Sequence, residues 1–127
     1  MKIYESAEDY LETILMLREE KGVVHSVDVA DHLGFSKASV SIAMKKLREN
    51  GYIAMEKDGA LKLLEKGEEI AQKIYDRHRT LTSYFISIGV DEDTAAKDAC
   101  KIEHDLSIET FDVIRERVHH CHSTHVE

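Results

Sequence analysis

The sequence predicts a mainly α-helical fold, in which an N-terminal winged helix-turn-helix with a small β-hairpin wing precedes an all-helical domain. Three observations support this prediction. Two short helical patterns are separated by a tight turn at Gly34. Asp58 and Gly59 form a hairpin signal between two strand-like runs. Apolar residues then recur at helical spacing through most of the remaining chain.

The first helix is predicted from Ser6 to about Glu20, because Ser6 can cap it and acidic residues occupy its first turn. Its apolar residues share one face, and Asp9 and Glu12 lie on the other. Two interpretations of these acids are open. In the first, Asp9 is a capping residue and Glu12 is a solvated side chain. In the second, the two form a pair of carboxylates that needs a cation.

Two further helices form the predicted helix-turn-helix. The first is expected to be capped by Ser26 and to end at Gly34. The second is expected to be capped by Ser36 and to run from Lys37 to about Asn50. Because this second helix carries the basic side chains, it is the predicted recognition helix.

Charge is concentrated where this helix-turn-helix would meet DNA. The chain has a net charge of −8, yet residues 36–48 carry four basic side chains and no acidic one. Small residues beside lysines would let the helix enter the major groove while the lysines neutralise phosphates. A winged helix that binds protein instead is the alternative. The candidate DNA-binding residues are Ser36, Lys37, Ala38, Ser39, Ser41, Lys45 and Lys46.

The wing and three later helices complete the predicted fold. Strands are expected at residues 52–56 and 60–64. The first of the helices that follow is expected at residues 65 to about 88 and ends before Gly89. The next is expected at residues 92 to about 104 with Asp91 as its cap, and the last begins at Ser107 and runs to about residue 119.

These elements predict a winged helix-turn-helix domain at residues 1–68, a helical domain at 69–120 and a disordered tail at 121–127. The helical domain has more apolar surface than a winged helix can cover, which predicts a homodimer with two recognition helices for a palindromic DNA site. The chain has two cysteines, no signal-peptide pattern and no apolar run of membrane-spanning length, so we expect a cytoplasmic protein.

A triplet near the C-terminus indicates metal chemistry. Cys100, Glu103 and His104 are spaced i, i+3 and i+4, so on a helix they share one face. A thiolate, a carboxylate and an imidazole form half of a transition-metal site. The alternative is a helix surface with one buried cysteine. His78, on the apolar stripe of the long helix, is likewise a ligand or a hydrogen-bonded core histidine.

Taken together, these motifs resemble those of the DtxR/MntR family of metal-dependent transcriptional repressors. The resemblance rests on the start Ser-Ala-Glu-Asp-Tyr-Leu-Glu at residues 6–12, the histidine of the long helix, and Ala-Cys-Lys-Ile-Glu-His-Asp-Leu-Ser at residues 99–107. It covers the chain to about residue 120. It implies a DNA-binding regulator and a divalent-metal site held by Asp9, Glu12, His78, Cys100, Glu103 and His104.

This chain departs from both branches of that family. Asp9 is similar to the manganese-type members, whereas Cys100 is similar to the iron-type members. Thr82 and Ala96 occupy positions of the iron-type ancillary site, so that site is not expected, and neither is an SH3-like domain. The resemblance implies Mn²⁺ or Fe²⁺ as the effector. Zn²⁺, Co²⁺ or Ni²⁺ are possible surrogates, because affinity generally rises along the later metals.

Three other functions compete with a metal-dependent regulator. A metallohydrolase would use the same ligands, but they leave no evident catalytic base, so we do not expect an enzyme. A redox-sensing regulator would use Cys100 and Cys121. A protein-binding winged helix would shift no DNA even with metal present.

Overall fold

A computed structural model describes the backbone of residues 5–126 and the side chains of residues 6–119. The chain forms two compact units, residues 1–73 and 74–127. The predicted mainly helical fold with one small antiparallel hairpin is confirmed. Its elements are α1 (Glu5–Lys21), α2 (Ser26–Leu33), α3 (Lys37–Glu49), β1 (Ile53–Met55), β2 (Leu61–Leu63), α4 (Glu65–Ser87), α5 (Glu92–Ile102) and α6 (Ile108–Val126).

The core of the first unit begins with α1. Leu11, Ile14 and Leu15 are buried, as the spacing of apolar residues predicts. Ser6 lies within the helix, which already begins at Glu5, so the prediction that Ser6 caps it is wrong. A serine tolerates an internal helical position, and only the chain upstream decides whether it becomes a cap.

The helix-turn-helix is bounded by specific caps. Asp28 accepts a hydrogen bond from the backbone N–H of His25 at 2.8 Å, and His25 rather than Ser26 is the N-cap of α2. The helix ends at Gly34, whose φ of 73° lies in the left-handed region that glycine adopts without strain. Ser36 caps α3 by accepting from the backbone N–H of Ser39 at 3.1 Å, as predicted.

The wing is an antiparallel pair in which Ile53 is opposite Leu63 and Met55 is opposite Leu61. Its strands have three residues each, fewer than expected, although the flanking residues still bond across the hairpin. The backbone N–H of Glu56 donates to the carbonyl of Ala60 at 2.9 Å, and that of Leu64 donates to the carbonyl of Tyr52 at 3.0 Å. The backbone N–H of Leu61 donates to the carbonyl of Val24 at 2.7 Å. This bond ties the wing to the segment that precedes α2.

The start of α4 packs closely against the rest of the first unit. A Cβ added at Gly67 would lie 2.1 Å from the carbonyl oxygen of Tyr52, so only glycine fits there. At the next residue, Glu68, the carboxylate accepts hydrogen bonds from both terminal nitrogens of Arg18 on α1, at 2.9 and 3.0 Å. This bidentate pair links the two helices and holds the pKa of Glu68 below its usual value.

The second unit has its own small core. Leu81 of α4, Ala99 of α5 and Phe111 of α6 are buried together. Asp91 caps α5 by accepting from the backbone N–H of Thr94 at 3.1 Å, and this bond lowers the pKa of Asp91. Each of the three helices therefore contributes to a common apolar centre.

Two helix ends differ from the sequence-based expectation. α5 ends at Ile102 rather than near His104. α6 continues to Val126 instead of ending near His119, so the backbone predicted to be disordered from residue 121 is helical up to that point. No glycine or proline follows Gly89, so nothing in the sequence forces the helix to end earlier. The side chains beyond His119, including Cys121, and all of residue 127 lie outside the described part.

Among the described residues, no helix combines the length and the apolar character that a membrane crossing requires.

Candidate metal centre and DNA-binding surface

Three potential metal ligands converge in the second unit. Nδ1 of His78, on α4, lies 3.0 Å from Oε2 of Glu103 and 3.7 Å from Sγ of Cys100. One ligand atom from each of these residues lies within 4.8 Å of the other two. α4 and the end of α5 therefore bring together an imidazole, a carboxylate and a thiol.

Glu103 lies at the centre of this cluster, and it is fully buried. It is the C-cap of α5, and its φ of −60° and ψ of −25° keep it in helical geometry. Its spacing of three residues from Cys100 therefore still places both side chains on one face, although the helix ends at Ile102. A fully buried carboxylate requires charged or hydrogen-bonding neighbours, and the two adjacent histidines are such neighbours.

His104 follows in the turn after α5. Its Nε2 lies 3.5 Å from Oε1 of Glu103, the carboxylate oxygen that does not face His78. Glu103 is thus flanked by an imidazole on each oxygen. The sequence predicted that His104 shares a helical face with Cys100, whereas the structure places His104 in the turn after α5, beside Glu103.

A buried arginine that the sequence analysis did not single out supports this turn. Arg77, beside His78 on α4, donates through one terminal nitrogen to the carbonyl oxygens of Glu103 and Leu106, at 3.0 Å each. Its guanidinium also lies over the ring of Phe111, 5.1 Å from the centroid. Its partners are main-chain carbonyls, which any residue provides, so no sequence signal could have identified it.

The donor set suits a divalent transition metal. Imidazole and thiolate favour later or softer ions, and carboxylate favours harder ones. Cys100 is exposed and forms no disulfide within the described part of the chain, and its exposure does not fit the alternative of a buried structural cysteine. Asp9 and Glu12, the two remaining candidate ligands, lie one turn apart on α1 in the first unit, where Glu12 is buried. Their participation stays a prediction.

The recognition helix presents the predicted DNA-binding residues to solvent. All seven candidates are exposed, while Val40, Met44 and Leu47 of the same helix are buried. A helix with one face in the core and a basic face in solvent is the arrangement that major-groove binding requires. Ile42, which was not among the residues predicted from the sequence, is also exposed on α3.

The fold is a winged helix with an exposed basic recognition helix, and it is combined with a cluster of potential metal ligands. These two features define the class of metal-responsive DNA-binding regulators. Family models narrow the class. The N-terminal DNA-binding domain of the iron-dependent repressors matches residues 2–61. Their metal-binding and dimerisation domain matches residues 64–125. The chain belongs to this family, which confirms the resemblance and the prediction of a metal-dependent transcriptional regulator that is not an enzyme.

Curated relatives are similar over most of their length. An uncharacterised helix-turn-helix-type transcriptional regulator of Methanocaldococcus jannaschii is 37% identical over 113 residues, 87% of this chain and 90% of the relative. The transcriptional regulator MntR of Bacillus subtilis is 39% identical over 113 residues, 89% of this chain and 80% of the relative.

Solved structures share the fold. A manganese-dependent transcriptional repressor in complex with manganese has a TM-score of 0.81 and 27% identity, over 88% of this chain and 52% of that one. IdeR of T. acidophilum has a TM-score of 0.78 and 26% identity, over 92% and 55%. This chain therefore spans about half the length of these two solved chains.

Proposed function

We propose that this protein is a homodimeric, cytoplasmic repressor whose affinity for a palindromic operator rises when Mn²⁺ or Fe²⁺ binds. The observation that carries the proposal is the convergence of His78, Cys100 and Glu103 within 4.8 Å of one another. The exposed basic face of α3 supports the DNA-binding part. We place the boundary between the DNA-binding domain and the helical domain after residue 68 of the sequence.

The proposed ligands come from both domains. His78, Cys100, Glu103 and His104 belong to the helical domain, and the resemblance adds Asp9 and Glu12 from α1. The bound cation would offset the mutual repulsion of the three carboxylates. Like charges a few ångströms apart repel by about 4 kcal/mol at an effective dielectric constant near 20.

The side chains of this chain favour a mixed metal preference. Asp9, Glu12 and Glu103 supply hard oxygen donors that suit Mn²⁺, and Cys100 supplies a soft donor that suits later ions. Relatives include an MntR of Bacillus subtilis and a manganese-dependent repressor. Mn²⁺ and Fe²⁺ are therefore the proposed effectors, with Zn²⁺, Co²⁺ and Ni²⁺ as surrogates in purified samples.

In this proposal, the recognition helix α3 contacts the DNA. Lys37, Lys45 and Lys46 would neutralise phosphates, and Ser36 with its small neighbours allows close approach of the backbone to the groove. In a two-fold dimer, two such helices reach successive major grooves when their spacing is about 34 Å.

The proposal is tested by metal titration followed by gel mobility shift, with a duplex selected by the wild-type protein from a random-sequence pool in the presence of Mn²⁺. We expect at least a tenfold gain in DNA affinity on adding Mn²⁺ to wild-type protein, which corresponds to a coupling within about 1–3 kcal/mol. Glu103→Gln should lose this gain, because it replaces the central carboxylate by a neutral amide.

Glu109→Gln is the matched control, since it removes an exposed acid from the same unit, at the start of α6. It should respond to Mn²⁺ like the wild type. Equal DNA affinity of the wild-type protein in Mn²⁺ and in excess chelator would reject the metal switch. A normal response of Glu103→Gln would remove Glu103 from the site.

A further inference from the structure

The outer face of the recognition helix contains one large apolar side chain among polar and basic ones. Ile42 is 60% exposed, whereas Val40 and Met44, two residues away on either side, are buried in the core. Most of the Ile42 side chain therefore lies outside the packing of the first unit. Single exposed apolar residues are common on protein surfaces and usually need no explanation. The exposure of Ile42 matters because of its position on α3.

The position of Ile42 on α3 is central to the predicted DNA-binding face. Ala38 lies one turn before it and Lys45 and Lys46 lie one turn after it, at the spacings that place side chains side by side on a helix. All three neighbours are exposed. A small apolar side chain and two flexible cations thus surround the isoleucine.

The charge around Ile42 limits what can cover it. Residues 36–48 carry four basic side chains and no acid, so the favoured partner is a polyanion. A second copy of the same face would bring like charges together, and this repulsion disfavours self-association through α3. The family model that matches residues 2–61 is that of a DNA-binding domain.

Duplex DNA offers one apolar group in the major groove, the C5 methyl of thymine. We propose that Ile42, together with Ala38, reads this methyl group and is a specificity-determining residue of the recognition helix. The inference rests on the proposed function, because it requires that α3 enters the major groove. It predicts that each half-site of the operator contains a thymine opposite Ile42.

The test compares the selected duplex with the same duplex in which every thymidine is replaced by deoxyuridine, which removes only the methyl groups. Wild-type protein with Mn²⁺ should bind the deoxyuridine duplex roughly tenfold more weakly, because one buried methyl is lost in each of two half-sites. Ile42→Ala should bind the thymidine duplex more weakly by a similar factor. It should also lose its preference between the two duplexes.

Two further variants separate the methyl contact from general effects. Ile42→Leu keeps an apolar side chain of the same size and should retain most of the preference for thymidine. Val23→Ala removes an equally exposed apolar side chain outside α3, and it should behave like the wild type. Since both positions are exposed, neither change should alter the circular dichroism or the midpoint of thermal unfolding.

The outcomes distinguish this inference from the function on which it rests. Equal binding of both duplexes by the wild-type protein would overturn the methyl contact while leaving metal-dependent DNA binding intact. The same would follow if Ile42→Ala kept the full preference for thymidine, or bound the thymidine duplex as well as the wild type. Failure of the wild-type protein to enrich any duplex would overturn the proposed function and the inference with it.

Discussion

At the scale of single residues, the metal centre depends on a turn held by one buried arginine. Arg77 donates to the carbonyls of both Glu103 and Leu106 and is 7% exposed. It touches none of the candidate ligand atoms in these bonds. It is thus a positioning residue, which acts on the site through the backbone that carries Glu103 and His104.

Arg77→Met should weaken Co²⁺ binding about tenfold or more, because supporting contacts of this kind are typically worth that much in metal affinity. The measurement is a Co²⁺ titration followed through its visible absorption and the thiolate charge-transfer band of Cys100. Arg77→Lys keeps one cationic donor and should recover part of the affinity and the band. Arg79→Met, an exposed arginine on the same helix, is the control.

Unchanged Co²⁺ affinity and an unchanged spectrum in a folded Arg77→Met protein would show that the turn does not need this arginine. If Arg77→Met only destabilised the fold, it would lower the midpoint of thermal unfolding and reduce Co²⁺ binding, but the spectrum of the Co²⁺-bound fraction would not change. The shape of the spectrum therefore separates the two roles.

Single residues also show what sequence can and cannot predict. Ser36 and Asp91 were predicted as caps and are caps, because each precedes a helix whose start is fixed by a preceding break. Ser6 and Ser26 have the same chemistry but lie inside helices. Arg77 escaped prediction because burial and backbone contacts decide its role, and neither is visible in a pattern of residue types.

At the scale of elements, the pairing of α1 with the start of α4 gives the first unit a dependence on pH. Arg18 forms two hydrogen bonds with Glu68, and this pairing lowers the pKa of Glu68 below its ordinary value of 4.5. Because the folded-state pKa is depressed, the pair stabilises the fold above the unfolded-state pKa. This stabilisation is lost as the pH falls through the folded-state value.

Glu68→Gln should therefore lower the free energy of unfolding at pH 7 by up to about 1 kcal/mol, since both side chains are about one-third exposed and solvent screens the pair. The difference from wild type should disappear under acidic conditions, below the lowered pKa. Urea unfolding at several pH values measures it, with Glu69→Gln as the exposed neighbouring control. A difference that does not change with pH would mean that packing, rather than the ion pair, supports the contact.

The order and type of the elements were predicted better than their ends. The hairpin was found from Asp58 and Gly59, but its strands are shorter than their apolar runs. α5 ends before Glu103 and α6 continues past His119. The sequence around these ends lacks glycine and proline, so no local stop signal fixes the boundary.

At the scale of the whole molecule, metal-dependent DNA binding requires two parts that the sequence identified separately. The recognition helix was predicted from its basic charge and glycine-containing turns, and the metal cluster from the spacing of Cys100, Glu103 and His104. The structure confirms the fold and places His78 beside that cluster. The role of Asp9 and Glu12 rests on the family resemblance, because their partners lie far away in sequence and no local pattern connects them.

The proposed coupling between metal binding and DNA binding is reciprocal by thermodynamic necessity. If Mn²⁺ raises the affinity for DNA, saturating DNA must raise the affinity for Mn²⁺ by the same factor. A protein with independent metal and DNA sites would lack this property, even if both ligands bound tightly.

The most direct measurement is equilibrium dialysis of Mn²⁺ against the wild-type protein, with and without a saturating amount of the selected duplex. We predict that the duplex tightens Mn²⁺ binding about tenfold or more, by the same factor by which Mn²⁺ tightens DNA binding. An identical Mn²⁺ affinity with and without the duplex would contradict the account.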